Sequence, residues 1–87
     1  MQTIYDFTAK EITQLRKAIG FQQPEFAKLL SISTIYQKNI EYGKNRVSNA
    51  YLKRIDVNIT QGKSEYISAV KFLVEESDRL KQVLSCL

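Results

Sequence analysis

The side chains of this 87-residue chain that could do chemistry are donors and cations rather than nucleophiles. Histidine is absent and cysteine occurs once, at Cys86. Zinc sites, Cys–His pairs and imidazole acid–base catalysis therefore lack their parts. The few carboxylates and the one thiol form no convergent set of nucleophile, base and oxyanion stabiliser, so the expectation is a non-enzyme with no cofactor and no metal. Recognition by charge and hydrogen bonds remains. Thirteen Lys and Arg against nine Asp and Glu give a net charge of +4, which suits a polyanionic partner. Residues 1–63 hold ten basic and five acidic side chains, whereas residues 64–87 hold three and four. Uneven scatter of ordinary surface charge reads the same way, so the balance alone decides nothing. Amide and cationic donors stand together at Gln22-Gln23 and at Lys44-Asn45-Arg46, types that suit phosphate oxygens.

The elements that would position these donors are helices, since three glycines and one proline leave few breaks in the chain. Thr8 with Glu11 three residues later is a capping box, and Ile12, Leu15, Ala18 and Ile19 follow at helical spacing until Gly20 supplies a C-terminal stop. Pro24 suits the first turn of a second, two-turn helix that ends at Leu30, with Phe26, Ala27 and Leu30 inward. Ser33 can cap a third helix running to about Tyr42 and closed by Gly43, and Ser48 can cap a fourth carrying Tyr51, Leu52 and Ile55. Residues 56–63 have little periodicity and read as a hinge or spacer. From Ser64, the residues Tyr66, Val70, Leu73, Ser77, Leu80, Leu84 and Leu87 advance by fours and threes as one long amphipathic helix. The expected fold is all-α, four to five helices in residues 1–63 followed by a 64–87 helix. At ~1.5 Å per residue that helix would reach roughly 36 Å, so part of its apolar face needs another chain.

A short helix, a tight turn and a second helix make the unit that sets its second helix into a DNA major groove. The middle of the chain resembles the lambda-repressor-like (Cro/repressor, XRE-type) helix-turn-helix family. The residues that carry the resemblance are Leu15-Arg16, Gly20 to Leu30 with the pattern Gln23-x-x-Phe26-Ala27-x-x-Leu30, then Ile32-Ser33 and Ile40-Glu41-Tyr42-Gly43-Lys44. They cover about residues 10–56. The spacing has physical reasons of its own: Ala27 is small where two helices approach, and Phe26, Leu30, Ile32 and Ile40 form the apolar wedge between them.

The resemblance implies an internal ion pair between Arg16 and Glu41, and an exposed start of the recognition helix from Thr34 to Asn39. Thr34, Ile35, Lys38 and Asn39 would then meet base edges. Lys can donate to guanine O6 and N7, Asn can bind adenine bidentately, and Thr or Ile can pack on a thymine methyl. Ile35 has an alternative as a core residue of the third helix. Phosphate contacts are expected from Gln22, Gln23 and Ser33 around the turn, from Lys44, Asn45 and Arg46 in the following loop, and from Tyr36. Tyr36 and Tyr42 also fit as half-buried packing. Two departures from the family pattern bear on this placement. Ser31 stands where the turn usually has Gly, so either it accepts a left-handed conformation or the turn differs. Gln37 stands where an aliphatic core residue is expected, and a one-residue slip would put Tyr36 inward instead.

Family members of this size commonly act as symmetric dimers, so the last helix, through Tyr66, Val70, Leu73, Leu80 and Leu84, is the expected pairing surface. Folding back over its own domain and docking to a different protein are the alternatives. The functional expectation is a cytoplasmic, homodimeric transcriptional regulator, an autorepressor that reads a palindromic double-stranded DNA operator, of the kind found in phage and other mobile elements. An antitoxin or antirepressor that binds a protein through its last helix is the alternative. Neither a membrane nor a metal is expected as a partner.

Overall fold

The computed structural model describes residues 3–86. Five α-helices make up the domain: α1 (Ala9–Ile19), α2 (Gln23–Leu30), α3 (Thr34–Glu41), α4 (Asn49–Ile55) and α5 (Ser64–Ser85). No strand occurs among the described residues, and none of their helices is long and apolar enough to cross a membrane. Leu87 lies outside the described residues.

The helix ends follow local chemistry. Thr8 caps α1, its amide donating to Glu11 Oε1 at 2.8 Å while the Glu11 amide donates back to Thr8 Oγ1 at 3.4 Å. Gly20 takes a left-handed φ of 91° and turns the chain, with its amide donating to the carbonyls of Arg16 and Lys17. Ser33 and Ser48 cap α3 and α4 by accepting from the amides of Tyr36 and Tyr51 at 3.0 and 3.1 Å. Between α2 and α3, Ser31 adopts φ 60° and ψ 42°, the left-handed conformation that its place in the turn demands. Arg54 reaches across from α4 and donates from Nη1 to the Leu30 carbonyl at 3.0 Å, which satisfies the end of α2 beside that strained residue.

Ile12, Phe26, Leu30, Ile40 and Ile55 are buried at the centre of one core, with Ala27 buried on the inward side of α2. Two features were not legible from periodicity. A 3-10 turn at Ile4–Asp6 brings Ile4 and Phe7 into the core. The segment expected as a spacer is instead a π-helical turn, Asp56–Thr60, that continues α4. It ends in two successive left-handed residues, Gln61 and Gly62, whose reversal is held by the Gly62 amide on Asp56 Oδ1 at 2.9 Å. This sharp reversal sends α5 back along α1.

Ile67 and Val70 of α5 belong to the same core as the first four helices. Lys71 adds a polar clamp: its Nζ donates to Glu11 Oε2 at 2.7 Å and to the Asp6 carbonyl at 3.3 Å, and lies 5.5 Å from the centre of the Phe7 ring. Burial pushes the Glu11 carboxyl up, but Lys71 and the Thr8 hydrogen bonds outweigh it and hold the carboxyl below its ordinary value. The first half of α5 is therefore fixed to the domain. Beyond it, Leu80, Val83 and Leu84 are exposed.

Candidate nucleic-acid interface

The two sides of α3 have opposite characters. Gln37 and Ile40 face inward with no exposed surface, which fixes the register: Gln37, not Tyr36, occupies the interior position. On the other side, Ser33, Ile35, Lys38 and Tyr42 are exposed, and Thr34 and Asn39 are partly so. Ile35 is 71% exposed, the most open large apolar side chain among the described residues. The core alternative for Ile35 is thereby removed. Tyr36 is half-buried, its ring edge-on to Tyr51 at 6.1 Å between centroids, so it packs in part against α4.

A chain of buried polar groups holds the inner side. Arg16 forks onto Glu41, Nε to Oε2 at 2.8 Å and Nη2 to Oε1 at 3.0 Å, and its Nη1 donates to the Phe21 carbonyl at 2.8 Å. Glu41 also accepts from Thr13 Oγ1 at 3.2 Å and from Gln37 Nε2 at 2.7 Å. Gln37 Oε1 in turn accepts from the Tyr51 hydroxyl at 2.5 Å. Every buried side-chain nitrogen and oxygen among the described residues has a partner. Burial pushes the Glu41 carboxyl up, yet the hydrogen bonds from Arg16 and Gln37 and the Arg16 charge hold it below the ordinary carboxylate value. Burial also raises the Tyr51 hydroxyl well above its ordinary value, so it stays a donor.

The flanks of α3 carry the donors expected for phosphate. Gln22 precedes α2, its backbone amide donating to Glu25 Oε1 at 2.9 Å, and an open groove there is lined by Lys17, Gln22, Gln23 and Tyr42 together with the paired Arg16 and Glu41. Lys17 was not anticipated; its place in the last turn of α1 was the only signal. After α3, the amides of Lys44 and Asn45 both donate to the Asn39 carbonyl, at 2.9 and 3.1 Å. That curl keeps Lys44, Asn45 and Arg46 exposed beside the end of α3. The outward edge of α3, with Ile35 open among polar side chains, and the flanking donors have the chemistry to meet an anionic, hydrogen-bonding ligand.

The residues expected to pair two copies divide. Val70 is 4% exposed and packs in the monomer core, so it offers little surface to another chain, although it lines the apolar groove between α1 and α5. Tyr66, Leu73, Leu80 and Leu84 are exposed, with Phe72 and Val83 beside them, and Tyr66 and Leu73 line an apolar groove with Ala18 and Ile19 of α1. The helical stripe of the sequence thus separates into a buried side and an open side. Compared with family models, curated proteins and solved structures, the chain matches none.

Proposed function

We propose that this chain is a sequence-specific double-stranded DNA-binding regulator of the lambda-repressor-like class, with α3 as its recognition helix. The two-sided character of α3 carries the reading. Gln37 and Ile40 are buried on one side while Ile35 and Lys38 stand open on the other, where Ile35 can pack on a thymine methyl in the major groove. Lys38 and Asn39 supply donors to base edges beside it, and Thr34 completes the edge. Gln22, Gln23, Ser33, Lys44, Asn45 and Arg46 hold the sugar–phosphate backbone on either side. The net charge of +4 supports such a partner.

The open side of α5 pairs two copies. From Tyr66 to Leu84 the exposed apolar residues span roughly 27 Å of helix, enough length for a side of about 800 Å² per partner when α1 contributes Ile19. A two-fold pair presents two α3 helices to half-sites about 34 Å apart, which makes the operator a palindrome. A protein with a reader and a pairing helix represses by occupying the operator and excluding polymerase. The same exposed α5 residues favour one second reading, an antitoxin or antirepressor that docks a different protein there.

Selection of bound fragments from random duplex DNA tests the proposal. The expected result is a symmetric consensus with half-sites one helical turn apart and affinity that falls by orders of magnitude between about 50 and 200 mM salt. Absence of duplex binding at low salt would favour the second reading.

A further inference from the structure

We propose that Gln37 and Tyr51 are positioning residues that fix the rotation of α3 about its own axis, and so decide which of its outward side chains reach base edges. This inference rests on the DNA-reading role of α3. Gln37 is wholly buried where an aliphatic side chain would suffice for packing, and its amide is held at both ends. Nε2 donates to Glu41 at 2.7 Å and Oε1 accepts from Tyr51 at 2.5 Å. Glu41 is tied to Arg16 of α1, and Tyr51 belongs to α4. The two polar ties of α3 therefore lie one turn apart on its inner side and lead to two different helices. In a helix of only eight residues, that pins both turns.

An aliphatic residue at position 37 would hold α3 by non-directional contact, which tolerates rotation. Hydrogen bonds do not, because they weaken steeply once the angle at hydrogen falls toward ~120°. The difference matters at the far side of the helix. A turn of about 20° about the axis moves a side-chain tip ~5–6 Å away by about 2 Å. That is several times the roughly 0.5 Å window of a hydrogen-bond distance, so Lys38 and Thr34 would lose or exchange their base partners. Tyr51 acts a second time through its ring, against which Tyr36 is packed edge-on. Of the flanking phosphate donors, the side chains of Gln22, Lys44, Asn45 and Arg46 make no bond within this chain, whereas Gln23 lies against Glu41.

The test compares Tyr51→Phe, Gln37→Leu and the double variant in the full chain. Three readouts are needed: melting temperature, affinity for a mixed-sequence 20-base-pair duplex at low salt, and the consensus selected from random duplex DNA. Each single variant leaves a buried polar group without its partner and should lower the melting temperature by roughly 5–15 °C. The double variant removes both members of the Tyr51–Gln37 bond and should recover part of that loss, the bond from Gln37 to Glu41 remaining absent. Its affinity for mixed duplex should stay within about threefold of wild type, while discrimination for the wild-type consensus falls about tenfold or more, or the consensus changes. A folded double variant that keeps the wild-type consensus and its discrimination would reduce the network to packing and overturn the inference. Should the double variant fail to fold, Tyr51→Phe alone, which deletes one oxygen, is read by the same three measurements against the same outcomes. Wild-type protein that binds no mixed duplex at low salt would remove the DNA reading first and this inference with it, an outcome distinct from unchanged specificity.

Discussion

Replacing Arg16 by Met tests how α3 is anchored. The two side chains of the Arg16–Glu41 pair are 10% and 3% exposed, so the pair is buried rather than screened by solvent. Met keeps most of the apolar stem but removes all three donated bonds, two to Glu41 and one to the Phe21 carbonyl. Removing one partner of a buried pair costs about 3–5 kcal/mol, and Glu41 retains Gln37 and Thr13, which places the loss near the lower limit at about 3 kcal/mol. For a domain of this size that is a fall in melting temperature of roughly 12–24 °C at pH 7. The loss should also depend on pH. Without Arg16, burial of Glu41 is opposed only by its remaining hydrogen bonds, so its folded-state pKa should rise relative to wild type and protonation should relieve the native state. The deficit relative to wild type therefore narrows as pH falls from 7 towards 4.5. Circular dichroism melts of both proteins across that range measure it. A deficit below about 1 kcal/mol, or one that does not change with pH, would refute the argument that the fork neutralises a buried carboxylate.

Lys44→Ala and Arg46→Ala should each weaken all duplex sequences alike and lower the slope of log affinity against log salt by about one, whereas Lys38→Ala and Asn39→Ala should relax preference at particular base pairs; binding titrations at several salt concentrations compare the two groups. Equal losses on every sequence from all four would contradict the division between backbone and base contacts. Leu73→Asp and Leu80→Asp should give monomers by sedimentation and weaken operator binding through lost bivalency, while a dimer that survives both changes would take α5 out of the interface. The wild-type domain should lose stability in acid. Glu11 and Glu41 have folded-state pKa values held below 4.5, so their contribution is fully present above that pH and disappears as pH falls through the lowered values. Denaturation midpoints that stay level from pH 6 to pH 3 would contradict it.

Much of the fold was readable because helix ends are decided by near neighbours. Thr8 with Glu11, Gly20, Ser33 and Ser48 act over three or four residues, and each stands where the sequence put it. What escaped depends on distance along the chain. Gln37 finds Tyr51 fourteen positions away and on another helix, and Lys71 finds Glu11 sixty positions away. The turn that buries Ile4 and Phe7 spans three residues, too short for any period to register. Val70 and Leu73 share one stripe in the sequence, yet only Val70 is covered by the domain. A repeat of fours and threes tells which residues share a side of a helix, not what covers them. For the interface, the outward edge of α3 was what the family resemblance implied, whereas the exposure of Ile35 needed the packed structure.

Contact between the outer edge of α3 and duplex DNA is the proposal on which the others depend. Titration of isotopically labelled protein with a short duplex at about 50 mM salt, followed by backbone-amide and Ile35 methyl resonances, addresses it most directly. Ser33 to Asn39, Gln22, Gln23 and Lys44 to Arg46 should shift together, with Leu80 and Leu84 unmoved. Shifts confined to α5, or none from Ser33 to Asn39, would contradict it.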